Sequence, residues 1–272
     1  MRHLMKLLSF FLCLLIVTGA GVTASAQTST SPRDPLARST QMIVVTTSGW
    51  SAVNGRLQRY ERATPDDAWQ PAGDGTPIVV GKNGLGWGIG VTDTNDTNVR
   101  LAADPVKKEG DGKSPAGIFS LGTAFGDASS PLTGLKLAYL SLTPSIECVD
   151  DTRSKYYNRV IDRSTVSADW KSSEHMRDVG EAYRWGIIVN HNNTVAGNNA
   201  ENPRPGAGSC VFLHIWGGPD HGTAGCTAMA TPRLETLLQW LDPKRNPLLV
   251  QLPVGEYKRL AARWKLPPTT AD

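Results

Sequence analysis

Beyond residue 26 the chain lacks an apolar run of the roughly 20 residues that a membrane helix requires, and it lacks a surplus of either charge. The 28 Lys+Arg stand against 25 Asp+Glu, a net charge of +3. Two of the basic residues, Arg2 and Lys6, precede residue 26, so 28 less 2 leaves 26 against 25 in the rest, a balance of +1. Nucleic-acid binders carry a basic stripe or patch, and this balance argues against that class. Cysteine is scarce as well. Of the four in the chain, Cys13 lies in the leading segment, leaving Cys148, Cys210 and Cys226. No internal repeat is visible, and the length suits one large β-rich domain or two small ones.

The leading segment has the pattern of an export signal. Arg2 and Lys6 give a positive start, Leu7 to Val17 are apolar except for Ser9, and Ala24-Ser25-Ala26 forms an A-x-A cleavage pattern. The apolar run is too short to span a bilayer comfortably; a retained anchor is the alternative. Cys13 sits behind Leu12, without the small residues that precede a lipidated cysteine. The expected organisation is therefore a signal peptide at 1–26, a Ser/Thr/Pro-rich flexible linker at 27–40, a folded domain at 41–253 and a partly helical tail at 254–272. The expected location is outside the cytoplasm, in the periplasm or cell wall. In an oxidising compartment three cysteines imply one pair and one free thiol.

The texture from Gln41 onward is that of a β protein. Met42–Thr47, Gly55–Tyr60, Thr76–Val80, Leu135–Leu142, Trp185–Asn190, Cys210–Trp216 and Pro247–Leu252 are strand candidates, separated by Gly- and Asn-rich turns. The clearest helix follows Cys226. Thr231 is its expected N-cap, Pro232 suits the first turn, and Leu234, Leu237, Leu238 and Leu241 form one apolar stripe. Many strands and few helices predict a single mainly-β domain, a sandwich or barrel.

The segment from Cys210 to Cys226, CVFLHIWGGPDHGTAGC, carries the candidate chemistry. Alternation places Val211, Leu213 and Ile215 on one strand face, and Cys210, Phe212, His214 and Trp216 on the other. Gly217-Gly218-Pro219-Asp220 then forces a loop, which can return Cys226 to the neighbourhood of His214. A thiol near an imidazole is what nucleophilic catalysis needs: the imidazole favours the thiolate, takes its proton and returns it to the leaving amine. Gly225 allows close backbone approach, so the amides around Cys226 are candidate oxyanion donors. Spacing alone leaves two other readings open. One is a structural His with a buried, inert Cys. The other is zinc held by His214, His221 and Cys226, although that spacing matches no common paired-ligand pattern.

This segment resembles the signature of the YkuD-type L,D-transpeptidase catalytic domain, a His followed by a loop ending in Ser/Thr-x-Gly-Cys. Upstream, Lys108 to Phe119 (KEGDGKSPAGIF) resembles the same family's K-x-G-D-x-x-T-P-x-G-x-F segment. Cys148 to Asn158 (CVDDTRSKYYN) and Glu174-His175-Met176 resemble stretches of an exported bacterial branch. The resemblance covers about Met42 to Leu252. It implies an L,D-transpeptidase-like β domain whose partner is the peptidoglycan stem peptide, without metal or organic cofactor. It also implies Cys226 as nucleophile, His214 as proton acceptor and donor, the Ile215 backbone carbonyl as orienter of the imidazole, and Thr223 and Gly225 as the rest of the turn. The sequence departs from the family at Ala224, where many members have a second His, and at Thr227-Ala228-Met229, where many have Arg or Asn. Both bear on acceptor choice, hence on cross-linking versus hydrolysis.

With Cys226 assigned as the nucleophile, Cys148 and Cys210 remain as the expected disulfide; a second free thiol at Cys210 is the alternative. Arg153 is the candidate carboxylate grip for a stem peptide, against a surface ion pair with Asp150 or Asp151. Trp216 is placed to line the site, and His221 is a candidate helper in the loop. His175 and His191 are read as structural or substrate-edge residues, and Lys107, Lys108, Glu109 and Asp111 as a turn. The competing functions are a hydrolase with the same site, such as an L,D-carboxypeptidase or a stem-detaching amidase, and a non-catalytic wall-binding module.

Overall fold

The computed structural model describes residues 35–92, 96–193 and 203–268. The expected export signal and residues 27–34 of the expected linker lie outside them. The described residues fall within one compact unit that runs from Arg33.

Among the described residues, fourteen strands form. The first half holds β1 (Gln41–Thr47), β2 (Asn54–Glu61), β3 (Gln70–Pro71), β4 (Thr76–Val79), β5 (Leu85–Trp87), β6 (Ser114–Gly126) and β7 (Tyr139–Ser141). The second half adds β8 (Ile146–Val149), β9 (Val160–Asp162), β10 (Ser173–His175), β11 (Trp185–Val189), β12 (Phe212–Ile215), β13 (Thr227–Met229) and β14 (Leu248–Pro253). Three α-helices accompany them: α1 (Pro35–Arg38), α2 (Thr231–Trp240) and α3 (Val254–Trp264). The structure is mainly β with a few short helices, as the sequence pattern leads one to expect.

The strands close on themselves. Hydrogen-bonded neighbours run β1-β14-β6-β11-β12-β13-β4-β2, and β2 pairs back to β1 along its whole length. An eight-strand ring of this kind leaves no long open edge. β3 extends β2, while β5 and β7 add to β6. A separate three-stranded sheet, β10-β8-β9, stands outside the ring.

β1 forms because Ile43-Val44-Val45-Thr46-Thr47 is a β-branched run that fits a pleated surface. It is buried almost throughout, and α3 packs on it and on β14. Two apolar clusters result. The larger takes Val211, Leu213 and Ile215 from one face of β12, together with Leu234, Leu237 and Leu238 of α2 and Tyr257, Leu260 and Trp264 of α3. The smaller takes Phe212 from the other face, with Phe125, Cys148, Met176, Tyr183 and Cys226. The alternation read from the sequence of β12 thus separates a structural face from a chemical one.

Several local expectations change. Leu135–Leu142 is a strand only at Tyr139–Ser141; Leu135 closes a turn onto the Leu132 carbonyl. The N-cap of α2 is Ala230, whose extended backbone (φ −60°, ψ 143°) makes no side-chain cap, and Thr231 is already helical. β6 has no strand signature in the sequence, because Gly117, Gly122 and Pro115 interrupt its pattern, yet at 13 residues it is the longest strand described. The packed body also exceeds 41–253. Leu36 packs against the main core, Thr40 N–H donates to the Arg245 carbonyl at 2.9 Å, and α3 is buried along one side. Residues 35–40 and 254–264 therefore belong to the domain instead of acting as linker and tail.

Candidate active site

β12 and β13 run parallel, with Leu213 opposite Thr227 and His214 opposite Ala228. One step back, Phe212 stands beside Cys226, and its N–H donates to Cys226 Sγ at 3.3 Å. His214 and Cys226 therefore face the same side, two strand positions apart, at a diagonal separation of roughly 8 Å between Cα atoms. Tyr183 lies between them. Its ring stacks edge-on to His214 at 5.3 Å and to Phe212 at 5.6 Å, and its hydroxyl interacts with the Cys226 thiol.

His214 has one defined orientation. Its Nδ1–H donates to the carbonyl of the next residue, Ile215, at 2.8 Å, which leaves Nε2 as the ring's basic atom. This is the role the resemblance implies for Ile215. Burial lowers the imidazole's proton affinity, against the raising effect of the Ile215 carbonyl. The ring is thus neutral at rest, which a general base must be.

Cys226 is 8% exposed and is the free cysteine among the described residues, because Cys148 and Cys210 form a disulfide. Burial pushes its thiol up to about 12, helped by the Glu174 carboxylate; the Phe212 N–H, Lys107 and Tyr183 oppose this. The expectation that a neighbouring imidazole favours the thiolate at rest is therefore corrected. Cys226 rests as a thiol, since neutral His214 contributes no charge to offset desolvation.

The turn before Cys226 is held by hydroxyls. The Cys226 carbonyl accepts from Thr223 Oγ1 at 2.6 Å and from Ser114 Oγ at 2.7 Å. Ser114 Oγ in turn accepts from Gly81 N–H at 2.8 Å, and Thr223 bridges in parallel to Gly81. Gly225 has a different role from the one expected. Its N–H donates to Thr223 Oγ1 at 3.1 Å and so is not free for an oxyanion. Its missing side chain leaves room for its tight neighbour, the Lys113 carbonyl oxygen, which would lie 3.2 Å from a Cβ there. Gly186 provides similar room one strand away: it is paired with His214, and a Cβ would stand 2.3 Å from the Phe125 ring.

Of the remaining expected residues, Trp216 is half-buried at the end of β12, its N–H bonded to the Met229 carbonyl. His221 is exposed and folds over Gly218, its Nδ1 3.1 Å from where a Gly218 Cβ would stand. Among the described contacts, none joins it to Cys226 or His214. Arg153 is 74% exposed and reaches Asp151 at 3.5 Å. The ion-pair alternative thus describes its guanidinium, which is not drawn toward Cys226. Ala224 is exposed.

Four contributors escape the sequence reading. Ser114 is legible in principle, because it fills the Ser/Thr position of the segment 108–119. Lys107 reads as surface-turn material, but it is 5% exposed and pairs with Asp111 at 2.7 Å beside the Cys226 turn. Tyr183 and Glu174 reach the site from the segment covering β12, a long-range arrangement with no local signature. A cavity of about 810 Å³ is lined by Cys148, Cys210, Phe212 and Asn158 and by neither Cys226 nor His214. Among the described residues no three His, Cys, Asp or Glu side chains converge to hold a metal.

No protein-family model matches the chain, and no curated protein sequence matches it. Among solved structures, the helical cell shape determining protein Pgp2 from Campylobacter jejuni is similar at a TM-score of 0.38 and 13% identity. The similarity takes in 79% of this chain and 48% of that one, so the chain spans about half the length of the protein it is compared with.

Proposed function

We propose that the protein is an exported cysteine acyltransferase of the L,D-transpeptidase type, acting on peptidoglycan stem peptides. The observation that carries the reading is the Nδ1–H bond of His214 to the Ile215 carbonyl, on the strand face shared with Cys226. It fixes the tautomer whose Nε2 can take the thiol proton. The resemblance of three separated segments supplies the substrate class, and the closed β ring is compatible with the domain they imply.

The reaction begins with a neutral pair. As the stem carbonyl approaches, the S–H proton moves to His214 Nε2 and sulfur bonds to the carbonyl carbon. The tetrahedral intermediate collapses as the imidazolium protonates the leaving amine. The thioester then passes to the amine of a second stem, or to water. Proton transfer coupled to attack suits a thiol at about 12, because a free thiolate would be costly in this buried site.

One observation favours a second reading, a non-catalytic wall-binding module: a buried cysteine with a raised proton affinity is also how an inert structural cysteine presents itself. Incubation with disaccharide-tetrapeptide, followed by mass, separates the possibilities. A cross-linked dimer indicates acyl transfer, and a shortened monomer indicates hydrolysis. His214→Ala and Cys226→Ala should both abolish either product. No product from folded wild type assigns the binding module, and near-normal turnover by His214→Ala refutes the pairing.

A further inference from the structure

The cavity of about 810 Å³ takes no part in the scheme above, yet its size falls in the range of roughly 300–1,000 Å³ that ligand pockets occupy. Leu121, Ile188 and Phe212 give it an apolar wall. Arg38 and Arg159 line it too, and among the described residues no Asp or Glu does. Both arginines are exposed, and among the described residues neither guanidinium has a hydrogen-bond or ion-pair partner. The main chain along one side is also unmatched. β6 pairs with β14 through 117–120 and with β7 through 124–126, and its register on β11 jumps from Leu121 to Ala124. Gly122 and Thr123, both in the cavity wall, therefore have no register partner on any of the three strands. Backbone left out of a ladder offers its N–H and C=O groups to whatever lies beside it.

Another part of the wall is held fixed. Asn158 Oδ1 accepts from Cys210 N–H at 3.0 Å, and its Nδ2 donates to the His191 and Asn192 carbonyls at 2.8 and 2.6 Å. The same stretch seats the nucleophile: the Cys210 carbonyl accepts from the Cys226 thiol at 3.5 Å, and Phe212 N–H donates to its sulfur at 3.3 Å. We propose that this cavity is a second peptide site, separate from the one in which Cys226 reacts, and that it takes an extended peptide bearing free carboxylates. Arg38 and Arg159 grip the carboxylates, a task that the guanidinium fork suits. Gly122 and Thr123 meet the peptide main chain, and Leu121, Ile188 and Phe212 cover its aliphatic carbons. A bare inorganic anion would use the arginines but neither the apolar wall nor the strand backbone. Because neither Cys226 nor His214 lines the cavity, the peptide held there is not the one attacked; it anchors the protein beside the reacting chain. The choice of a stem peptide as probe rests on the acyltransferase reading, whereas the site does not.

The test is a proton–nitrogen NMR titration of the full folded chain carrying Cys226→Ala, its disulfide intact, with disaccharide-tetrapeptide as the probe. The amides of Leu121, Gly122, Thr123 and Ile188 should shift and saturate. The exposed pair Arg38→Gln and Arg159→Gln should together weaken binding at these amides by about tenfold, the effect of losing charge-assisted contacts. Shifts at Thr223 and Gly225, which report the reactive site, should keep their midpoint in that variant. The same probe with its carboxylates amidated should lose affinity for the cavity in the unsubstituted arginine background. Silent cavity amides overturn the inference, as do midpoints that neither the arginine replacements nor amidation move. Equal shifts from inorganic phosphate at the same concentration assign a bare anion site and overturn the peptide. Turnover by wild type with silent cavity amides leaves the acyltransferase standing and removes this site; saturating cavity shifts without turnover do the reverse.

Discussion

Replacing Ser114 and Thr223, singly and together, tests whether the Cys226 turn is built as described. Ser114 is fully buried, and its Oγ both donates to the Cys226 carbonyl at 2.7 Å and accepts from Gly81 N–H at 2.8 Å. Ser114→Ala strands the Gly81 N–H but leaves the carbonyl with Thr223, at a cost of about 1–3 kcal/mol. Thr223→Val, which keeps the shape, strands the Gly225 N–H and leaves the carbonyl with Ser114, for a loss of about 1 kcal/mol. Only the double variant removes both hydroxyl donors from the carbonyl. Its loss should therefore exceed the sum of the single losses by about 1 kcal/mol. The assay is urea unfolding of the four proteins. The midpoint of heat unfolding should follow, at about 2–4 °C per kcal/mol for a domain of this size. A double variant equal to the sum within about 0.5 kcal/mol refutes the shared-acceptor account.

Three further outcomes are expected. The Cys148–Cys210 link spans 62 residues, so its removal by Cys148→Ala with Cys210→Ala should cost about 4 kcal/mol in urea unfolding; iodoacetamide label on either cysteine of the unreduced, denatured protein would contradict the pairing. His191 accepts from Ile89 N–H at Nδ1 and gives its Nε2–H to the Ala207 carbonyl, and burial, with Lys107 adding to it, lowers its pKa to about 4. The unfolded chain binds that proton first, so stability should be intact above pH 6.5 and fall by about 3 kcal/mol toward pH 4, and an equally steep fall in a folded His191→Gln protein would rule out this source. Gly186→Ala should destabilise by about 1–3 kcal/mol, because the added carbon meets the Phe125 ring at 2.3 Å; unchanged stability would mean that the ring is free to move.

Period-two alternation makes β12 legible, and Leu234, Leu237 and Leu238 do the same for α2, because their patterns repeat within one element. β6 is illegible for the converse reason: Gly122 and Gly126 admit close neighbours from β11 and the residues beside it, and Gly117 takes a positive φ of 137°, none of which a local pattern can reveal. Ser114 is readable as part of a motif, although its two hydrogen bonds are not. Lys107 looks like turn material because burial of its amine depends on Asp111 and the Lys108 carbonyl, partners whose meeting only the folded turn creates. Glu174 and Tyr183 belong to a segment brought onto β12 by the small sheet and its disulfide, and no spacing in the chain encodes that meeting.

The closure of the ring also governs when the molecule can fold. β1, at Gln41–Thr47, needs β14, at Leu248–Pro253, on one side, so the first strand described waits for the last. Contacts this distant in sequence make folding slow and place the decisive step after synthesis of nearly the whole chain. For a chain read as exported, that delay has a use. Under the proposed export, a nascent chain that cannot complete its barrel would remain threadable, and the final pairing would fall to the compartment where Cys148 and Cys210 can be oxidised.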